Sequence, residues 1–176
     1  MNNSTKDIQN TSKTEIRTSA ISGKGKFAKQ KIMFGEYITT LSGELVHSDP
    51  DITSVCDKFG VSGDDPLQID DEQFLVLDHE SKTINHSCNP NAGLRNKSDL
   101  YAIREINADE EITYDYSTTS GTNDTWTMNC GCNTEVCRKT IGNVLTIPAS
   151  IMAKYIALDA LPMFIRKQIK KAGRLI

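Results

Sequence analysis

Up to residue 148 the apolar positions fall in short runs broken by turn residues, a pattern of strands rather than helices. Residues 15–21 read as a strand running into Gly23 and Gly25, and residues 35–38 and 43–46 as two more, each opened by a glycine. Residues 74–78 and 100–105 complete a β-rich middle, with no apolar stripe of helical period longer than about two turns. The tail changes period. Pro148 suits the first turn of a helix whose apolar face is Ile151, Met152, Tyr155 and Leu158, and Pro162 interrupts it. Residues 163–172 predict a second amphipathic helix with Ile165, Ile169 and Ala172 as its stripe. Arg166, Lys167, Lys170, Lys171 and Arg174 have no acidic neighbour there, so the helix carries a basic face: the solvated side of a docked helix, or a surface for nucleic acid or another partner.

The other end is polar. Asn, Ser and Thr make up ten of the first twenty residues, so residues 1–13 are expected to be a disordered tail. The 176 residues are 38% hydrophobic and 24% charged, enough for one domain with its own core. A net charge of -3 and a pI near 5.6 argue against a dedicated nucleic-acid binder. No apolar run reaches the roughly 18 residues of a membrane span, and no signal-peptide core is evident at the N-terminus. Residues 64–80 hold seven acids and no Lys or Arg, either a solvated loop or a field that attracts a basic substrate.

Five cysteines, an odd number without an export signal, do not form a disulfide framework and point to an intracellular, reducing compartment. Cys56 and Cys88 stand alone, while Cys130, Cys132 and Cys137 crowd into eight residues. Three thiolates at this spacing suit one tetrahedral ion, with a fourth ligand from Cys88, Cys56 or a histidine; three ligands and a water would instead suggest catalytic zinc. The other reading is a cluster of reduced thiols.

Three further motifs carry chemistry. Gly23-Lys24-Gly25-Lys26-Phe27-Ala28 fits a dinucleotide fingerprint, but the next glycine, Gly35, leaves no room for the helix that fingerprint opens. Two glycines beside a strand still let backbone approach a ligand. Ile84-Asn85-His86-Ser87-Cys88-Asn89-Pro90-Asn91 is too polar for a core strand. His86 and Cys88 are expected on opposite faces, which argues against a protease-like pair. In Asp109-Glu110-Glu111-Ile112-Thr113-Tyr114-Asp115-Tyr116 the acids read as a solvated turn before a strand, with Tyr114 and Tyr116 on one face and Asp115 opposite.

In this order, these segments resemble the SET-domain protein lysine methyltransferases, from about Glu15 to Gly142. The resemblance rests on Gly23-x-Gly25, Gly35-Glu36, Gly43-Glu44, the Asn-His-Ser-Cys-Asn-Pro-Asn stretch, the Tyr-Asp-Tyr motif, and a post-SET Cys-x-Cys-x4-Cys followed by Arg138-Lys139. It implies a mainly β fold of small sheets with a pseudoknot, which brings residues 84–91 beside 111–116. The expected domains are 14–118 for SET, 119–142 for a linker and post-SET zinc segment, and 143–176 for a C-terminal helical extension.

The resemblance also implies a site. Backbone around Lys24, Gly25 and Lys26, with Asn85 and His86, would hold S-adenosylmethionine. Tyr116 matches the active-site tyrosine and also borders the cofactor. Tyr114 matches a Phe/Tyr switch position, where tyrosine favours mono- or dimethylation. Trp126 would wall the adenine or substrate site or pack the lid, and Ile141 would touch adenine. Zinc would be bound by Cys88, Cys130, Cys132 and Cys137, leaving Cys56 spare. The partner would be a protein or peptide carrying the target lysine, a histone among the candidates, with no nucleic-acid or membrane site evident. Oligomeric state, and nucleus against cytoplasm, stay open. One departure stands out: the family often has Tyr-x-Gly where this chain has Leu41-Ser42-Gly43. That departure keeps alive an alternative, a zinc-stabilised SET module that binds a partner without turnover.

Overall fold

The computed structural model describes residues 12–47 and 66–173. Cys56, Asp64, Arg174 and nearly all of the expected tail lie outside them. The described residues build three small sheets and a hairpin rather than one large layer. Strands β1 (Thr14–Thr18) and β2 (Lys24–Ala28) form an antiparallel hairpin pairing Thr14 with Ala28 and Thr18 with Lys24. The first strand is shorter than expected because Ser19 folds the chain: its N–H donates to the Gly23 carbonyl at 3.0 Å and its hydroxyl accepts from the N–H of Ile21.

Strand β3 (Tyr37–Thr40) begins two residues after Gly35, which turns the chain at φ +77° instead of opening the strand. Strands β4 (Gly43–Val46), β5 (Leu67–Asp70) and β6 (Gln73–Leu77) make a sheet in the order β4-β6-β5. The two-residue β7 (Asn85–His86) is followed by β8 (Ala92–Arg95) and β9 (Asp99–Ala102), which complete a sheet ordered β3-β9-β8. The strand expected over 100–105 stops at Ala102, because the N–H of Ile103 turns to the Asn91 carbonyl. Strand β10 (Glu111–Tyr114) sits between β2 and β7, giving the order β1-β2-β10-β7. Strands β11 (Thr127–Asn129) and β12 (Thr140–Gly142) form a hairpin around the cysteines.

The only α-helices among the described residues lie in the tail. Helix α1 (Ala149–Ala157) begins just after Pro148, and α2 (Met163–Lys171) just after Pro162. The expected stripe is corrected at Ala172, which is exposed beyond the helix end; Phe164, Ile165 and Ile169 form the buried face. The basic face is that of a docked helix, and Arg166 does have an acidic partner, the Asp159 carboxylate, supplied by the turn between the helices.

Two apolar clusters support this architecture. One gathers Ile32, Leu41, Ile84, Leu94, Leu100, Ile106, Ile112 and Tyr114 between the sheets. The other packs Ile103, Val144, Ile147, Met152, Tyr155, Leu161, Phe164, Ile165 and Ile169 beneath the helices. The tyrosine segment after β10 lies between them.

Candidate active site

Alternation along β10 places Tyr114 and Tyr116 on one face, their ring centroids 4.8 Å apart. Asp115 points the other way and is 2% exposed. A carboxylate so buried needs several partners. Its oxygens accept from the Arg138 guanidinium at 2.5 Å, from the N–H of Ser117 at 3.1 Å and from the Tyr155 hydroxyl at 3.1 Å. Asp115 thus joins the post-SET segment and helix α1 to the tyrosine turn. Burial and the adjacent Tyr116 push the Tyr114 phenol well above its ordinary range, so it stays protonated. The Tyr116 hydroxyl donates to the Ile84 carbonyl at 2.9 Å.

Parallel pairing of β7 with β10 sets Thr113 opposite Asn85 and Tyr114 opposite His86. Asn91 seals the pairing: its side chain accepts from the N–H of Thr113 at 2.9 Å and donates to the Glu111 carbonyl at 2.7 Å. Residues 84–91 therefore do lie beside 111–116. The Asn85 amide donates to the carbonyls of Ser22 and Lys24, both at 3.1 Å, and to the Glu111 carboxylate at 2.7 Å. That single side chain draws the β1–β2 turn against the pseudoknot strand. A Cβ at Gly25 would overlap the Glu111 carboxylate, so any larger residue would have to displace that side chain from its hydrogen bonds. Lys26 is buried, its ammonium 3.7 Å from Glu80.

The acids before β10 are not a solvated turn. Glu111 also accepts from the Ser19 hydroxyl at 2.8 Å, and Glu110 pairs with Arg104 and accepts from Asn91 at 2.9 Å. Only Asp109 stands largely in solvent, with its carboxylate on Arg17. Sequence reasoning passed over Glu111; the available signal was a buried asparagine motif that needed an acceptor.

His86 and Cys88 also correct an expectation. Side chains two apart in an extended segment share a face, and the His86 Nε2 lies 3.3 Å from the Cys88 sulfur. Burial pushes the His86 imidazole down to about 4, opposed by Asp115 and helped by Arg138, so the ring is neutral. Its Nδ1 accepts from the N–H of Tyr116 at 3.2 Å, which places the proton on Nε2, aimed at the sulfur.

The sulfur and nitrogen atoms of His86, Cys88, Cys130 and Cys132 lie within 4.8 Å of one another. The Cys137 sulfur sits at the margin, 3.8 Å from the Cys130 carbonyl and packed in the same cluster. The donor set fits zinc: tetrahedral Zn–S bonds of about 2.3 Å separate sulfurs by roughly 3.8 Å, and Cys88 and Cys130 are 3.7 Å apart. Burial pushes both of those thiols up, so their ionised forms require a counter-charge. With its proton on Nε2, His86 acts as a donor to Cys88 rather than a ligand, and Cys137 is the better fourth donor. Arg138 adds two more N–H contacts to the Cys88 sulfur, each at 3.4 Å.

A cavity of about 750 Å³ opens on the tyrosine face. Tyr114, Tyr116, Ile84, Thr119 and Trp126 line it, with Gln68 and Gln168 at its far wall. Trp126 does two things, lining this cavity and packing with Ile141 on the cysteine cluster. Leu41 is buried in the same sheet core as Tyr114 and offers no hydroxyl.

A SET-domain family model matches residues 23–117, the part that contains Asn85, His86, Cys88, Tyr114 and Tyr116. Histone-lysine N-methyltransferase TRX1 of Oryza sativa subsp. japonica is 32% identical over 139 residues, covering 72% of this chain and 13% of that protein. Human histone-lysine N-methyltransferase 2B is 32% identical over 152 residues, covering 75% of this chain and 5% of that protein. The chain therefore spans a small fraction of these curated relatives. Among solved structures, a humanized mutant of the Chaetomium thermophilum Polycomb Repressive Complex 2 bound to an inhibitor aligns with a TM-score of 0.51 at 20% identity. That alignment covers 60% of this chain and 15% of the matched chain, and it bears on the fold alone.

Proposed function

Because this chain belongs to the SET-domain family, we propose that it transfers a methyl group from S-adenosylmethionine to a lysine side-chain amine of a protein. The observation that carries the proposal is the placement of the Tyr116 hydroxyl, fixed on the Ile84 carbonyl in the wall of the cavity. Its neighbour Asn85 holds the backbone of residues 22–24 on the opposite side of the same segment. The two reactants would then meet across the tyrosine turn.

When bound, S-adenosylmethionine supplies a methyl group on a positively charged sulfur. What remains for the protein is to place a neutral amine in line with it. A lysine of pKa about 10.4 is protonated near pH 7, and removing that proton costs roughly 3–5 kcal/mol. Apolar walls lower this cost by desolvating the ammonium. Here Ile84, Leu77, Val76 and the two tyrosine rings supply them. The Tyr116 oxygen and the Ile84 carbonyl are fixed acceptors whose positions do not change as charge leaves the sulfonium. Tyr114, whose hydroxyl is hydrogen-bonded with Thr119, takes up the space a trimethylated amine would need. Mono- or dimethyl-lysine is the proposed product.

Lys24, Gly25, Lys26, Asn85, His86 and Ile141 are proposed to border the cofactor, and Trp126, of the alternatives open to it, the substrate side. Zinc held by Cys88, Cys130, Cys132 and Cys137 would tie the post-SET hairpin to the Asn85–Cys88 segment, a structural rather than a catalytic role. An intracellular, reducing compartment suits four free thiols so placed. No helix among the described residues is long and apolar enough to cross a membrane.

The names of the relatives make histones the first acceptors to try. Radiolabelled methyl transfer onto histones and onto a cell lysate should label protein, and mass spectrometry should find the label on lysine as mono- or dimethyl. Label on no acceptor, together with no S-adenosylmethionine binding by calorimetry, would leave the partner-binding alternative. A product dominated by trimethyl-lysine would overturn the role given to Tyr114.

A further inference from the structure

The far wall of the cavity is closed by two glutamines that act as a pair. The Gln68 carbonyl oxygen accepts from the N–H of Gly121 at 2.9 Å, and the Gln168 carbonyl oxygen accepts from the next N–H, that of Thr122, at 2.8 Å. Each amide group then donates back to one turn of the β5–β6 hairpin. Gln68 reaches the carbonyls of Asp70 and Asp71 at 3.1 and 3.4 Å, and Gln168 reaches the Asp71 carboxylate at 2.7 Å. Gly121 lies between them, where a Cβ would stand 2.9 Å from both side-chain oxygens. A side chain at 121 would therefore have to move both glutamine amides from these positions.

Gln168 belongs to α2, beyond the residues matched by the family model, and the helix is anchored by the buried Phe164, Ile165 and Ile169. From this arrangement we infer that Gln168 is a positioning residue: α2 uses it to fix the segment 119–126 against the β5–β6 turn and so sets the width of the substrate cavity. Thr119, Asp124 and Trp126 line the cavity from that segment, whose backbone has few other ties to the sheet side. The inference rests on the proposed function only in calling the cavity's occupant the lysine-bearing peptide.

Trp126 is the chain's single tryptophan and lines the same wall, so its fluorescence reports the wall without any turnover. Three forms of the full chain decide the matter: Gln168→Ala, Gln168→Glu, and Gln168→Glu combined with Asp71→Asn. Loss of the paired hydrogen bonds should raise acrylamide quenching of Trp126 about twofold in Gln168→Ala. The acceptor-peptide KM should rise about fivefold, with kcat and S-adenosylmethionine affinity within about twofold of wild type. Gln168→Glu sets two carboxylates against each other and should behave as badly; adding Asp71→Asn restores a donor opposite an acceptor and should recover both readouts. Unchanged quenching and KM in a folded Gln168→Ala would overturn the inference. So would a uniform loss, cofactor affinity included, that the Glu/Asn combination fails to rescue. A wild-type chain that methylates nothing while Trp126 still responds to Gln168 would sink the activity and uphold the clasp.

Discussion

The tyrosine segment is gripped from two sides by regions built on opposite principles. On the pseudoknot side the buried groups are polar and satisfied: Asn85, His86, Asn91, Thr113 and Asp115 are each under a tenth exposed and each has named partners. On the helical side the interior is apolar, and from the helices themselves Tyr155 reaches Asp115 and Gln168 reaches Thr122. A hydrogen-bonded wall fixes atoms to within a few tenths of an ångström but accepts almost no substitution. An apolar wall tolerates repacking and transmits position only through the few contacts that cross it. The helices can therefore vary in composition so long as those two contacts persist.

The largest effect that would break this contrast comes from Asp115→Ala. It strands Arg138 in a partly buried position and removes the acceptor of both Tyr155 and the Ser117 N–H, so denaturant unfolding should show a loss of about 3–5 kcal/mol. A loss under 1 kcal/mol would mean the polar side is not the rigid one. Ile165→Ala, in the helical interior at 0% exposed, should cost about 2–4 kcal/mol through the cavity it leaves. Its S-adenosylmethionine affinity should stay within about twofold, because no hydrogen bond to the pseudoknot is touched; a tenfold loss would show the two sides are not separable.

The smallest effect is electrostatic. Burial works against the Glu110 carboxylate, but hydrogen bonds from Arg104, Asn91 and the N–H of Asn107 outweigh it and hold its pKa below the ordinary 4.5. A carboxylate lowered by folding contributes stability above its unfolded pKa and loses it as pH falls through the folded value. Glu110→Gln should therefore flatten the stability–pH curve below pH 4.5 by less than one proton, leave its slope unchanged near neutrality, and lower stability there by the carboxylate's contribution. A mutant curve parallel to wild type in acid would remove Glu110 from the polar wall.

Periodicity made the helical side legible from the sequence. Pro148 and Pro162 marked both helix starts, and Ile165 and Ile169 the buried face; Ala172 was misplaced because the helix ends one residue before it. The pseudoknot side was legible only as motifs, since a two-residue strand such as β7 has no period to detect. The motifs named Asn85, Tyr116 and the cysteines, but not the acceptor they required: Glu111 looked like one of three surface acids until Asn85, 26 residues away, was seen to donate to it. Gln168 carried no signal at all. A lone glutamine on an amphipathic helix acquires meaning only when Thr122 and Asp71, 46 and 97 residues away, converge on it.

The proposed activity turns on the Tyr116 hydroxyl aiding methyl transfer without holding the cofactor's bulk. Tyr116→Phe tests this most directly when S-adenosylmethionine binding and methyl transfer to lysine are measured on the same preparation. Binding should stay within about threefold of wild type, while transfer falls at least about a hundredfold, the scale of losing one aligned catalytic group. Transfer at the wild-type rate from a folded Tyr116→Phe protein would contradict the assignment of this cavity as a lysine methyltransferase site.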